Sequence, residues 1–313
     1  MRAAFTVLLI ALLALPAARA AHLAFVVDSR DAAVSVVDMD SKQQIRTIPM
    51  LREPHHLVLS PDQKSLIVGD TVGNSLFFLD PHDGALQKRI TVADPYQLQF
   101  SPNGKFLTVA GNARRQIDIY DAASLTLLHR IPALTIPSHI AYTPDSKTVF
   151  VSLQGTDRLV AISTATGQEL WKAKTGPTPA GVLYDDGRIL VGIMGANYVQ
   201  VFDPADGHEV TRIITQAGAH NLFLTPDHTQ VWMCNRVAGS ISVIDAKNFT
   251  PVRTYRITGG PDDIDFAADG KVWVARRFTS TVAVLDPRTG DYQLIKVGNS
   301  PHGLWLNTHL HNG

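Results

Sequence analysis

Short runs of alternating apolar and polar positions recur along the chain, and most end on an aspartate. VSVVD, LFFLD, IDIYD, LVAIS, VQVFD, ISVID and VAVLD close at Asp38, Asp80, Asp121, Ser163, Asp203, Asp245 and Asp286. The intervals are 42, 41, 42, 40, 42 and 41 residues. Alternation with a period of two predicts strands. A steady spacing of this size over seven copies predicts a repeat architecture.

Each copy has the same internal order. A strand that often opens on proline, such as PHHLVLS or PYQLQFS, leads into a tight turn such as SPDQK, SPNGK or TPDSK. Proline suits the second position of such a turn, and Asp, Asn and Gly suit the later ones. A second strand follows, as in SLIVGD or QVWMCN, then the Asp-ended strand, then a fourth such as ALQKRITV. Four short antiparallel strands per repeat are the pattern of a propeller blade. The first repeat begins at its second strand, HLAFVVDS, and the chain finishes on a lone first strand, PHGLWLN. That last strand is expected to complete the first blade and close the ring, which removes exposed sheet edges. The expected fold is all-β: a seven-bladed propeller of four-stranded blades, forming one domain over residues 21–313.

The phrases PHGLWLN, SPDQKSLIVGD and GSISVIDAKNFTPVRTYRI resemble the YVTN-type repeat, and the resemblance covers residues 21–313. It implies the same propeller fold. For function it implies a broad range: exported proteins and components of respiratory or quinone-linked systems. Similar seven-bladed folds include lactonases, lyases of the virginiamycin B type and the copper domain of nitrous-oxide reductase. Function therefore has to be argued from the site.

Residues 1–20, MRAAFTVLLIALLALPAARA, carry Arg2, an apolar stretch from Phe5 to Leu15, and Ala18-Arg19-Ala20 before the expected cleavage point. This is the pattern of a cleaved export signal. The apolar run falls short of the roughly 20 residues that span a bilayer. A periplasmic or secreted protein without a transmembrane anchor is expected, and a monomer. The chain has 28 basic and 28 acidic residues; removing Arg2 and Arg19 leaves 26 − 28 = −2. A near-neutral balance gives no long-range field for nucleic acid. Of the acidic residues only Glu53, Glu169 and Glu209 are glutamate, which leaves 25 aspartates for turns and makes a paired-Glu glycosidase site unlikely. The single cysteine, Cys234, excludes an internal disulfide and reads as a small buried apolar residue.

The innermost strand of a blade lines the central channel. Aligning the seven strand starts gives His302, His55, Tyr96, Ser138, Ala180, His220 and Asp262. Ring closure makes His220, Asp262, His302 and His55 neighbours. Three imidazoles and a carboxylate suit a divalent transition metal. The next residues, Gly303, His56, Gln97, His139, Gly181, Asn221 and Asp263, are either supporting partners or the inward set themselves, because strict alternation sends only one set inward. Imidazoles at these positions also have a purely structural reading, bonding backbone groups at the channel mouth. Arg30, Arg114, Arg236, Arg276 and Arg277 fall in loops at the same face. With Tyr96, they could recognise a small anionic ligand or a periplasmic protein partner through guanidinium forks. The tail residues His309 and His311 read as frayed. Two function classes stay open: a binding scaffold, and a metal-dependent lyase or lactone hydrolase.

Overall fold

The middle strands of each repeat are nearly continuous apolar runs because both of their faces are covered. In the computed structural model, which describes residues 22–133 and 135–310, every residue of Leu23–Asp28, Leu66–Asp70 and Ser75–Leu79 is buried. The fourth strands, such as Gln43–Pro49 and Leu86–Thr91, are mostly exposed and carry the charged residues. Residues 1–20, expected to be an export signal, lie outside the described residues, as does His311. Among the described residues there is no α-helix, and none long and apolar enough to cross a membrane.

Twenty-eight strands form seven antiparallel sheets of four. Blade 1 pairs the C-terminal strand Pro301–Leu306 with Leu23–Asp28, Ala33–Asp38 and Gln43–Pro49. Blades 2 to 7 follow in chain order, with innermost strands Pro54–Leu59, Gln97–Phe100, Pro137–Tyr142, Pro179–Asp185, Ala219–Leu224 and Pro261–Phe266. The ring closes as the repeat predicts. Leu304 and Trp305 pair with Val26 and Phe25 across nearly the whole length of the chain.

Seven apolar clusters fill the gaps between neighbouring blades. Between blades 1 and 2, Phe25, Val27 and Trp305 meet Leu66, Val68 and Phe77. Fully burying a side chain of this size contributes about 1.5–3 kcal/mol. Stability is thus spread around the ring, and the channel is left free to carry polar groups. Cys234 lies wholly buried between blades 6 and 7. Burial pushes its thiol well up, so it is inert packing. The tail differs from the expectation of fraying. Asn307–His309 form a 3-10 turn, and His309 Nε2 sits 2.5 Å from Asp265 Oδ1.

Candidate functional site

Six of the seven inner strands carry one extra residue at their start. In blade 2, Pro54 pairs with Asp70 and Leu57 with Val68, so three steps on one strand match two on its partner. The same shift occurs in blades 1, 4, 5, 6 and 7. Such bulges bend the strand and break its alternation. The expected choice between two inward-facing sets therefore does not arise. His55 and His56 are consecutive, and both join the channel cluster.

That cluster holds five imidazoles. His55 and His302 have ring centroids 3.7 Å apart, His56 and His302 4.6 Å, His56 and His139 5.5 Å, and His139 and His220 5.2 Å. Tyr96 packs on His55 at 4.0 Å. The glycines of the second set make room. A Cβ on Gly303 would stand 3.1 Å from the His55 carbonyl oxygen, so its absence lets blade 1 approach blade 2. Blade 5 contributes only Ala180 and Gly181, and His139 meets His220 across this gap.

All five rings are buried. Burial, with the neighbouring imidazoles and arginines adding to it, drives His55, His139, His220 and His302 well below the ordinary histidine value. His56 falls to about 4, chiefly by burial. The rings are therefore neutral near pH 7. Several of their nitrogens have no partner: His56 Nε2, His139 Nε2 and both nitrogens of His302. Buried polar atoms are normally satisfied, so this concentration of orphans marks the mouth as unusual.

Asp262 is the one carboxylate among the rings. Arg236 binds its Oδ1 through Nε at 2.6 Å and lies over His220, with Nη2 2.6 Å from His220 Nε2. Burial pushes Asp262 up, but Arg236, His220 and Arg277 outweigh it and hold the carboxyl below its usual value. Its Oδ2 is 2.5 Å from His302 Nδ1, at an angle that makes no hydrogen bond. Asp263 turns away and accepts from the Ile264 and Leu304 amides. Burial and the charges of Asp262 and Asp265 push it well up.

Above the rings lies a cavity of about 590 Å³, lined by Ser29, Arg30, Arg52, Glu53, Arg277, Phe278 and Ser300. Arg277 belongs to both levels: it donates to Ser29 Oγ at 3.0 Å and interacts electrostatically with Asp262, Tyr96 and Glu53. At the other end of the channel a cavity of about 390 Å³ is lined by Gln97, Gln99, Tyr142, Tyr184, Asn221 and Asp265, among others.

The structure thus brings together His55, His220, Asp262, His302, Tyr96, Arg236 and Arg277, with Arg30 in the cavity wall. Two predicted arginines stand apart. Arg114 is exposed and reaches Asn74 at 3.4 Å. Arg276 is spent on structure, donating to the Thr258 carbonyl in the loop from blade 6 to blade 7 and to the Thr281 hydroxyl of its own blade. Ring nitrogens of His55, His56 and His302 all lie within 4.8 Å of one another, while Asp262 lies 3.2 Å from His220 Nδ1 through Oδ1 and 2.5 Å from His302 Nδ1 through Oδ2. Arg52 and Asp70 carry no sequence signal that marks them as site residues, yet Arg52 lines the cavity. Asp70 accepts from the Leu51, Arg52, Glu53 and Gly73 amides at 2.7–2.9 Å and so shapes the loop leading to His55.

Fold and site together define a seven-bladed propeller with a buried, imidazole-rich channel mouth. Residues 3–312 match the YNCE-like beta-propeller family, and the chain belongs to it. A stretch of 76 residues is 34% identical to "Uncharacterized protein YncE" of Salmonella typhimurium, covering 24% of this chain and 21% of that one. The chain therefore matches about a fifth of that curated relative's length. Among solved structures, the dihydro-heme d1 dehydrogenase NirN in complex with DHE aligns with a TM-score of 0.68 at 15% identity, over 93% of this chain and 76% of that one. The periplasmic gluconolactonase PpgL of Pseudomonas aeruginosa aligns with a TM-score of 0.72 at 19% identity, over 91% and 98%. At these identities the likeness is one of fold.

Proposed function

We propose that this chain is an exported binding protein whose channel mouth holds an anionic small molecule or cofactor. The observation that carries this reading is the buried ring of neutral imidazoles with unpartnered nitrogens, roofed by Arg277. Arg277, Arg30 and Arg52 supply positive charge around one cavity, and carboxylates or phosphates match the guanidinium fork. Residues 1–20 support export. The neighbours named as a dihydro-heme d1 dehydrogenase in complex with DHE and as a gluconolactonase support a small-molecule site in rings of this kind.

Thermal melting with gluconate, citrate and metal-free protoporphyrin IX tests the reading. At least one of these probes should raise the Tm by several degrees, and Arg277→Ala should remove that rise. No response to any of the three would count against it.

A second reading rests on the Asp262–His302 contact. Asp262 Oδ2 lies 2.5 Å from His302 Nδ1, and Nε2 has no hydrogen-bond partner; a turn of the ring that brings Nδ1–H onto the carboxylate would give an oriented general base, and Arg277 would stabilise negative charge on a lactone carbonyl. Acid release from glucono-δ-lactone, followed by pH-stat, tests it. Turnover abolished by His302→Ala would establish a lactonase, and no turnover above the spontaneous rate would exclude this substrate.

A further inference from the structure

We propose that His55, His56 and His302 form a three-nitrogen site for a divalent transition ion at the floor of the channel mouth. The inference deepens the binding reading above and rests on it. Each of the three residues offers a ring nitrogen, and these atoms all lie within 4.8 Å of one another. Around a tetrahedral ion with bonds near 2.0–2.1 Å, ligand nitrogens stand about 3.3 Å apart. Binding an ion would draw the nitrogens together by up to about 1.5 Å.

The hydrogen bonds prepare His56 for this role. Its Nδ1 lies 2.8 Å from the Tyr96 carbonyl oxygen and 2.9 Å from His55 Nδ1. A carbonyl only accepts, so His56 carries its proton on Nδ1 and donates it to Tyr96; His55 Nδ1 faces that N–H with its lone pair, the pair it would offer to an ion. The bond to Tyr96 fixes the His56 tautomer and leaves its Nε2 as a bare lone pair, buried and without a partner. A ring held through Nδ1 by a backbone carbonyl is the usual support of a metal-bound histidine. His302 is fully buried, its Nε2 has no hydrogen-bond partner, and Asp262 Oδ2 lies 2.5 Å from its Nδ1, where a turn of the ring would make it the outer carboxylate of a carboxylate–histidine–metal arrangement.

His220 and Asp262 fall outside the ligand set because Arg236 engages both. Arg236 lies against both nitrogens of His220 and holds Asp262 Oδ1. Three neutral nitrogens suit Zn²⁺, Co²⁺, Ni²⁺ or Cu²⁺ and not Mg²⁺ or Ca²⁺, which take oxygen ligands. Asp262 offsets the charge of Arg236. The charge of Arg277 then suits an anion on the ion's open position.

The test is titration of tag-free protein with Co²⁺, read by its visible d–d bands, and with Zn²⁺ by equilibrium dialysis. One equivalent of ion is expected. His56→Ala and His302→Ala should each weaken binding by about 100-fold or more, at or beyond the upper end of what losing an outer partner costs. His220→Ala should stay within about fivefold. Circular dichroism checks that each variant folds. Because His302 lies on the ring-closing strand, His55→Ala replaces it if that variant misfolds. Absence of a stoichiometric ion, or binding that survives His56→Ala and is lost in His220→Ala, would overturn the proposal. The anion-induced Tm rise is measured on the same samples. A rise without metal binding sinks only the metal site, whereas neither response sinks the binding reading as well.

Discussion

The surplus of aspartate over glutamate has a physical home at the turns. Asp38, Asp80, Asp121, Asp203, Asp245 and Asp286 each accept an amide two or three residues on, at 2.7–3.0 Å. The short side chain reaches its own turn, and glutamate would overshoot. Asp70 uses the same chemistry at the channel mouth, where one carboxylate satisfies four amides. Asp70→Ala leaves those donors without it, and a cost of about 2–5 kcal/mol is expected in urea unfolding; Asp70→Asn should recover part of it. The buried histidines set a pH dependence. Burial lowers His56 to about 4 from the ordinary histidine value near 6.5. The unfolded chain then binds the extra proton between those values. The stability from a neutral His56 is complete above about pH 6.5 and is lost as pH falls towards 4, up to about 3 kcal/mol. Asp28 has the opposite sign. Burial raises it to about 7, so its protonated form stabilises at low pH and the contribution fades as pH rises from about 4 to 7. Unfolding curves of His56→Gln and Asp28→Asn across pH 4–8 should change slope in opposite senses.

At the scale of strands, the period-two pattern and the Asp-ended runs made the blades legible, because both follow from local backbone geometry. The bulge was not legible. It follows from how the inner strand turns into the channel, and no residue type announces it. Alternation therefore forced a choice between His55 and His56 that the structure does not make. The aim of Arg236 into the cluster was also hidden, since sequence places it only in a loop. Gly181 shows how closely the inner strands approach. A Cβ there would stand 2.7 Å from Asn221 Cα and 2.8 Å from the His220 carbonyl oxygen, both backbone atoms. Gly181→Ala must move blade 6 relative to blade 5. A loss of about 1–3 kcal/mol is expected by chemical denaturation, with His220 drawn away from His139.

At the scale of the molecule, one strand both closes the ring and supplies a site residue. Pro301–Leu306 buries Leu304, Trp305 and Leu306 against blades 1, 2 and 7 and carries His302. Ending the chain at Ser300 would expose the edge of Leu23–Asp28. Aggregation, or loss of the cooperative melt, is expected by size exclusion and circular dichroism. The seven-fold ring was readable from the repeat, and so was the meeting of His220, Asp262, His302 and His55. The ligand was not, because a propeller leaves specificity to a few side chains at one mouth. Native mass spectrometry of tag-free protein tests the account most directly. It is run on protein isolated from its own host and after incubation with gluconate, citrate, protoporphyrin IX or Zn²⁺. The account predicts a non-covalent mass above the polypeptide that the Arg277→Ala/His302→Ala double variant lacks. A bare polypeptide mass under every one of these conditions would contradict it.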